Sequence, residues 1–299
     1  MDLVQIEPTR GRPARLPEWL RKPQTNFRAL HDLKVELRIR GLHTVCESAR
    51  CPNIHECFSR KAATFMILGN ICTRTCGFCA VPQGTPGDLS SAEPELVAEM
   101  AQRMALRHVV ITSVNRDDLP DGGSAHFAAT VRAVKRALPS ARVEALVPDF
   151  LGDCDAVARV LDAGCDVFNH NMETVRRLYA RVRPQAVYRR SLAVLAFARD
   201  RSPGTLTKSG LMVGLGETVA EVRHLLRDIR EAGTDVATIG QYLRPRIRRL
   251  PVEEYVHPEI FDLYRRFGES IGFRAVFSGP LVRSSYMAES VDAQALCAG

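Results

Sequence analysis

Residues 64–79 read Thr-Phe-Met-Ile-Leu-Gly-Asn-Ile-Cys-Thr-Arg-Thr-Cys-Gly-Phe-Cys, an apolar run that leads straight into three cysteines spaced C-x3-C-x2-C. The apolar run predicts a buried strand, with the thiols at its C-terminal end. Five further runs of the same kind follow, at 107–114, 142–150, 166–172, 207–216 and 235–243. Between them the segments 94–107, 125–138, 153–164, 174–200 and 218–233 space their apolar residues for helices. In the last of these Val219, Val222, Leu225, Leu226 and Ile229 form one stripe, and Gly164 and Gly233 supply helix stops. Strand and helix in alternation imply a parallel sheet joined by right-handed crossovers. Six such units predict an α/β fold, a partial (β/α)6 TIM-like barrel. An open doubly wound sheet is the alternative.

In either architecture chemistry collects at the C-terminal ends of the strands. Polar residues sit there repeatedly. The first strand runs into Cys72, the second into Thr112, Ser113 and Asn115, and the fifth into Gly214, Gly216 and Glu217. Beyond the fourth, alternation places Asn169, Asn171 and Glu173 on one face. For Glu173 and Glu217 a helix-capping loop role competes with a ligand role.

The chain has 299 residues, 45% hydrophobic and 25% charged, which suits a folded domain with a large core and gives no run long enough to span a bilayer. Its first residues lack the apolar core of a secretory signal, so a cytoplasmic location is expected. A transit peptide carrying Arg10, Arg12 and Arg15 competes, opposed by Asp2 and Glu7. A net charge of +7 leaves nucleic acid, an anionic surface and an acidic partner all open. Six of the nine cysteines fall between positions 46 and 79. In a reducing compartment such clustering points to metal ligands or catalysis rather than disulfides. Cys72, Cys76 and Cys79 lack a nearby fourth ligand, which makes a poor closed zinc site. They suit a four-iron cluster with one iron left open. The earlier triad, Cys46, Cys51 and Cys57, also fits a zinc knuckle completed by His43 or His55, or plain buried thiols. Cys154, Cys165 and Cys297 read as ordinary thiols.

The C-x3-C-x2-C run with an aromatic before its third cysteine resembles the radical S-adenosylmethionine superfamily. Gly210-Leu-Met-Val-Gly214-Leu-Gly-Glu217 resembles that superfamily's element beside the adenine, while Thr112, Ser113 and Asn115 replace its usual Gly-Gly-Glu. A longer set of motifs, CPNIHECF, TSVNRDDLPDGG, VEALVPDF, FNHNMETV, IGQYLRP and GPLVRSSY, runs in order from about residue 41 to residue 288 and resembles the lipoyl synthase family. Departures are mild: Phe58 stands where Trp is common, and Arg246 where a small hydroxyl residue is common.

The resemblance implies three regions: an N-terminal extension, 1–60, with the first triad; a barrel, 61–245; and a C-terminal extension, 246–299, with the RSSY motif, the two extensions covering the mouth. It implies two [4Fe-4S] clusters, one at Cys72, Cys76 and Cys79 that cleaves S-adenosylmethionine, the other auxiliary and sacrificial at Cys46, Cys51 and Cys57. The second serine of RSSY, Ser285, would be the auxiliary cluster's fourth ligand, with Ser284 inseparable from it by spacing. Serine oxygen is a harder and weaker partner for iron than thiolate, so such a cluster should open more easily. Thr112, Ser113, Asn115, Asn171, Glu173, Gly214 and Glu217 are the expected cosubstrate contacts. The implied reaction inserts sulfur at carbons 6 and 8 of an octanoyl chain on a lipoyl carrier protein, either a 2-oxoacid dehydrogenase E2 or a glycine cleavage H protein. Further partners implied are an electron donor such as flavodoxin or ferredoxin and an iron-sulfur cluster carrier, with neither nucleic acid nor membrane.

Three other functions compete. Biotin synthase lacks an N-terminal triad coupled to RSSY, and a methylthiotransferase needs RNA-binding segments for which the chain has little room. A zinc-bearing nucleic-acid-binding protein would interleave aromatics with its basic stretches, yet aromatics make up only 6%. The run Arg244, Arg246, Arg248 and Arg249 reads equally as a solvated face or as a dock for an acidic carrier domain.

Overall fold

The computed structural model describes residues 16–21, 27–49, 51–59 and 62–285; the basic N-terminal stretch, Tyr286 and Cys297 lie outside the described residues. Eight strands form one sheet in sequential order: β1 (His43–Thr44), β2 (Ala63–Ile67), β3 (His108–Ser113), β4 (Arg142–Leu146), β5 (Val167–Asn169), β6 (Leu206–Val213), β7 (Val236–Gln241) and β8 (Ala275–Gly279). β1 pairs antiparallel with β2, and every later neighbour is parallel. The order leaves β1 and β8 as edges, so the barrel is partial.

The six expected strands are β2 to β7. Helices α1 (Phe27–Ile39), α2 (Val45–Ser48) and α3 (Ile54–Ser59) precede β2. The crossovers then carry α4 (Glu93–Arg103), α5 (Ser124–Ala137), α6 (Cys154–Leu161), α7 (Tyr179–Val182), α8 (Tyr188–Arg201) and α9 (Val219–Glu231). The α9 stripe closes over the sheet through Val222, Leu225, Leu226 and Ile229, all buried, and Thr218 with Glu221 forms a capping box at its start. The long stretch 174–200 divides into a 3-10 turn, α7 and α8, because Pro184 cannot continue a helix.

Two features depart from expectation. A further helix, α10 (Pro258–Ser270), and β8 add a seventh parallel strand beyond residue 245. The stretch from Gly279 into RSSY forms no further strand and is a turn that follows β8. Gln241 N still donates to Pro280 O, but Pro280 lacks the N–H that a ladder needs, so the strand goes no further.

The barrel interior is polar at mid-height. Lys208 Nζ lies 3.1 and 3.0 Å from the two oxygens of Glu144, which also accepts from Asn169 Nδ2 at 2.7 Å and faces His108 Nε2 at 3.3 Å. Asn169 therefore sits in the lumen below the mouth rather than beside Asn171 and Glu173. Burial alone would raise the Glu144 carboxyl, but the Lys208 ammonium, helped by His108 and Asn169, outweighs it and holds the group down at about 2.

Candidate functional site

The Cys72–Cys79 loop is built onto the ends of β2, β3 and β4. Cys72 N donates to Pro82 O and Gly84 N to Cys72 O, folding the loop back on itself. Its anchor is Arg74, only 3% exposed, which reaches Asp117 at 2.6 and 2.7 Å and Asp149 at 2.6 Å, while Arg190 holds the other Asp149 oxygen at 2.7 Å. Burial would raise Asp149, yet the Arg74 bond and charge hold it at about 2. From the other side the loop 244–250 packs over it: Leu250 N donates to Gly77 O, and a side chain at Gly77 would collide with Leu250. Arg249 donates to Val81 O, whereas Arg244, Arg246 and Arg248 are exposed.

Within this loop burial pushes the Cys76 thiol up to about 12, against the Arg183 charge, with Cys79, Cys72 and Glu173 adding to the rise. Cys79 is raised too, chiefly by burial. Thiols so placed are costly to ionise unless cations stand beside them, as a metal cluster supplies. Among the described residues no three His, Cys, Asp or Glu side chains converge on a single ion position. A four-iron cluster does not ask them to, because each thiolate binds its own iron.

Of the expected cosubstrate residues, Asn115 and Glu173 lie beside this loop and Asn171 bonds Glu173, whereas Thr112, Ser113, Gly214 and Glu217 are not shown in contact with it. Asn115 turns its N and Nδ2 toward Cys72 Sγ at 3.4 and 3.8 Å, and its Oδ1 is buried without a partner. Ser113 Oγ is likewise buried and unpaired, whereas Thr112 Oγ1 donates to Leu146 O. Glu173 holds φ +66°, a left-handed backbone that costs a non-glycine residue about 1–2 kcal/mol, and it pairs with β6 through Gly210 O and Met212 N. Burial raises its carboxyl, opposed by Arg183 and by Asn171 Nδ2 at 3.0 Å. Gly214, at φ +97°, has Gln241 and Glu254 pressed against it and no room for a side chain. Glu217 spends both oxygens on the N–H groups of Gly214 and Leu215, which fixes that turn.

The other triad lies apart from this loop. Cys46, Cys51 and Cys57, carried by α2, α3 and their connection, line one small cavity together with Thr64, His108, Arg283 and Ser285. Burial, and then the neighbouring Cys51, pushes the Cys46 thiol up to about 12. The two ends of the chain meet here: Asn53 Nδ2 donates to Leu281 O at 2.7 Å across 228 positions, and its Oδ1 is buried and unpaired. The serines that spacing could not separate point apart. Ser284 Oγ accepts from Asn171 Nδ2 at 3.0 Å, whereas Ser285 lines the cavity with the three cysteines. Three thiols, a hydroxyl and a guanidinium around one cavity fit an anionic sulfur-ligated cluster.

Sequence reasoning missed Arg74, Asp117, Asp149, Arg183 and Asn53 as site-builders. Arg183, buried, donates to Asn171 O and Met172 O and stands over the Tyr179 ring, and nothing in its local sequence signals this. Asn53 and the two aspartates sit inside the quoted motifs, which was the available signal. His170 is a satisfied core histidine between Val147 O and Ser191 Oγ, lowered to about 4 by burial and then by Arg183. Cys165 is buried and Cys154 exposed, both remote from the two triads in sequence. No helix among the described residues is long and apolar enough to cross a membrane.

Comparison with known proteins agrees with this geometry. Residues 66–229 match the Radical SAM superfamily. Lipoyl synthase of Rubrobacter xylanophilus is 56% identical over 279 residues, covering 93% of this chain and 87% of that one. Lipoyl synthase of Caldanaerobacter subterraneus subsp. tengcongensis is 54% identical, covering 92% and 96%. Among solved structures, methylornithine synthase superposes with a TM-score of 0.54 at 15% identity over 83% of this chain and 71% of that one, a likeness of fold. With more than half of the chain matched by the superfamily and nearly the whole length matched by these relatives, the chain belongs to the lipoyl synthase family of radical S-adenosylmethionine enzymes.

Proposed function

We infer that this chain is a sulfurtransferase that inserts two sulfur atoms, at carbons 6 and 8, into an octanoyl chain borne on a lysine of a lipoyl carrier protein, giving the lipoyl cofactor. The observation that carries the reading is the pairing of two separate cysteine triads in one partial barrel, with Ser284 bonded to Asn171 and Ser285 lining the cavity of the first triad.

In this reading Cys72, Cys76 and Cys79 hold the resident [4Fe-4S] cluster. When bound, it supplies the electron that cleaves S-adenosylmethionine to a 5′-deoxyadenosyl radical. The chain's own part is positional. Arg74 pins the loop, Asn115 faces Cys72, and Asn171 with Glu173 offers acceptors for the hydroxyl or amine groups of the cosubstrate. Arg183, Leu250 and the 244–250 loop keep water from the mouth, which a radical able to break an unactivated C–H bond requires. The second [4Fe-4S] cluster, held by Cys46, Cys51, Cys57 and Ser285, is the sulfur-donating substrate. Each round breaks one C–H bond, whose hydrogen leaves on 5′-deoxyadenosine, forms one C–S bond to a donor sulfide and leaves one electron on the donor's iron. Ser285, the weakest ligand of the four, is the one that lets go as the donor opens.

The same reading extends to partners. The carrier is a domain of a 2-oxoacid dehydrogenase E2 or a glycine cleavage H protein, docked by its acidic surface on Arg244, Arg246 and Arg248. Flavodoxin or ferredoxin supplies electrons, an iron-sulfur carrier rebuilds the donor, and the cytoplasm is the compartment. Anaerobic incubation with an octanoylated lipoyl domain, S-adenosylmethionine and reductant tests the reaction: mass spectrometry should show two sulfurs added to the carrier. A carrier that stays octanoylated while 5′-deoxyadenosine accumulates would refute it.

A further inference from the structure

We propose that Ser284 couples the two centres, so that cosubstrate bound at Asn171 tightens the turn that presents Ser285 to the donor cluster. This rests on the reading above, in which Asn171 and Glu173 meet S-adenosylmethionine and Ser285 meets iron. Asn171 is buried, and its two amide hydrogens are both spent, one on Glu173 Oε1 and one on Ser284 Oγ, each at 3.0 Å. Its Oδ1 is buried and has no hydrogen-bond partner. That oxygen packs against the bare backbone of Gly210, where an added Cβ would lie only 2.8 Å from it. The amide is therefore fixed in orientation by two bonds on one side and presents an unpaired acceptor on the other.

An unpaired buried acceptor costs about 1–3 kcal/mol, which a donating ammonium or ribose hydroxyl removes. A donor at Oδ1 also polarises the amide and strengthens the two bonds made by Nδ2, one of which holds Ser284. Ser285 is the next residue, one peptide unit or about 3.8 Å of backbone away. Gripping Ser284 thus restricts where the Ser285 oxygen can go. Ser285 stays on its iron while intact cosubstrate occupies the mouth, and the grip relaxes once the cosubstrate has been cleaved and its fragments leave. Coupling of this kind is reciprocal: losing the Ser284 hydroxyl must weaken cosubstrate binding as much as cosubstrate strengthens the turn.

The test uses enzyme loaded with both clusters, comparing wild type, Ser284→Ala, Ser284→Thr and Ser285→Ala. Equilibrium binding of S-adenosylmethionine is one readout, and the Mössbauer signature of the serine-bound iron, with and without S-adenosylmethionine, is the other. Ser284→Ala should weaken binding about 2- to 10-fold, the value of one hydrogen bond, and should abolish the cosubstrate-induced change at that iron. Ser284→Thr, which keeps the hydroxyl, should restore both. Wild-type affinity in Ser284→Ala, persistence of the induced change, or failure of Ser284→Thr to rescue would each overturn the coupling. Ser285→Ala separates the failures: if it leaves the signature of that iron unaltered, the ligand reading itself falls and the coupling with it.

Discussion

Replacing Lys208 by Met removes the ammonium bonded to both oxygens of Glu144. Both side chains are fully buried, and the ammonium contacts both carboxylate oxygens at about 3 Å. Breaking one side of a buried pair costs about 3–5 kcal/mol, because the partner is left uncompensated. At about 2–4 °C per kcal/mol for domains approaching this size, the melting temperature should fall by about 10 °C at pH 7.5. The pH dependence follows from the carboxyl. In the wild type Glu144 is held at about 2, below its ordinary 4.5, so its contribution is complete above pH 4.5 and is lost as pH falls toward 2. Without Lys208 burial dominates and raises the carboxyl above 4.5, so it is protonated in the folded state and ionised in the unfolded one. The variant's deficit should therefore shrink between pH 7.5 and pH 5. Thermal unfolding followed by circular dichroism at both pH values measures this, and the double variant Glu144→Gln/Lys208→Met should recover more than half the loss. A melting temperature within about 2 °C of wild type at pH 7.5, or a deficit unchanged at pH 5, would refute the argument.

Ser285→Ala should leave 5′-deoxyadenosine formation largely intact while sulfur transfer to the carrier drops at least tenfold, read by mass spectrometry; full lipoyl product would count against the ligand assignment. Arg74→Ala strips Asp117 and Asp149 of their buried partner and frees the loop that carries Cys72, Cys76 and Cys79. Iron bound after reconstitution should fall toward about four per chain, the auxiliary cluster remaining, whereas about eight would show that the loop needs no such anchor. Gly240→Ala places a methyl group against the backbone carbonyl of Val282, so the 280–285 turn must shift. The expected phenotype is that of Ser285→Ala, with melting lowered by a few degrees.

The barrel was legible because its strands are continuous apolar runs separated by 3.6-period stripes, a contrast that survives without any long-range information. The unit formed by α10 and β8 carried the same signal, Phe261, Tyr264 and Gly268 on one helical face followed by Ala275–Gly279, but it lay within the stretch assigned to a C-terminal extension. The two triads were legible from cysteine spacing, and the family's motifs named the RSSY serine. Which serine faces which centre was not, since neighbouring residues differ only in the direction the turn gives them. Arg74 and Arg183 could not be seen either. A buried arginine is recognisable by its distant partners, here Asp149, 75 positions from Arg74, and the carbonyls of Asn171 and Met172 above Arg183. Glu217 shows the opposite outcome: its spacing suited a ligand role, yet both oxygens are occupied by the backbone of its own turn.

In the proposed reaction one triad holds a resident cluster and the other a cluster consumed as sulfur donor. Acid-labile sulfide per chain, counted before and after anaerobic turnover with an octanoylated lipoyl domain, tests it directly. About eight are expected before and about four after removal of small molecules, two sulfides having left in the product and two released as the donor comes apart, whereas the variant with Cys72, Cys76 and Cys79 replaced by alanine, which cannot start the reaction, should hold about four at both times. Lipoyl product formed with sulfide unchanged at about eight would contradict it.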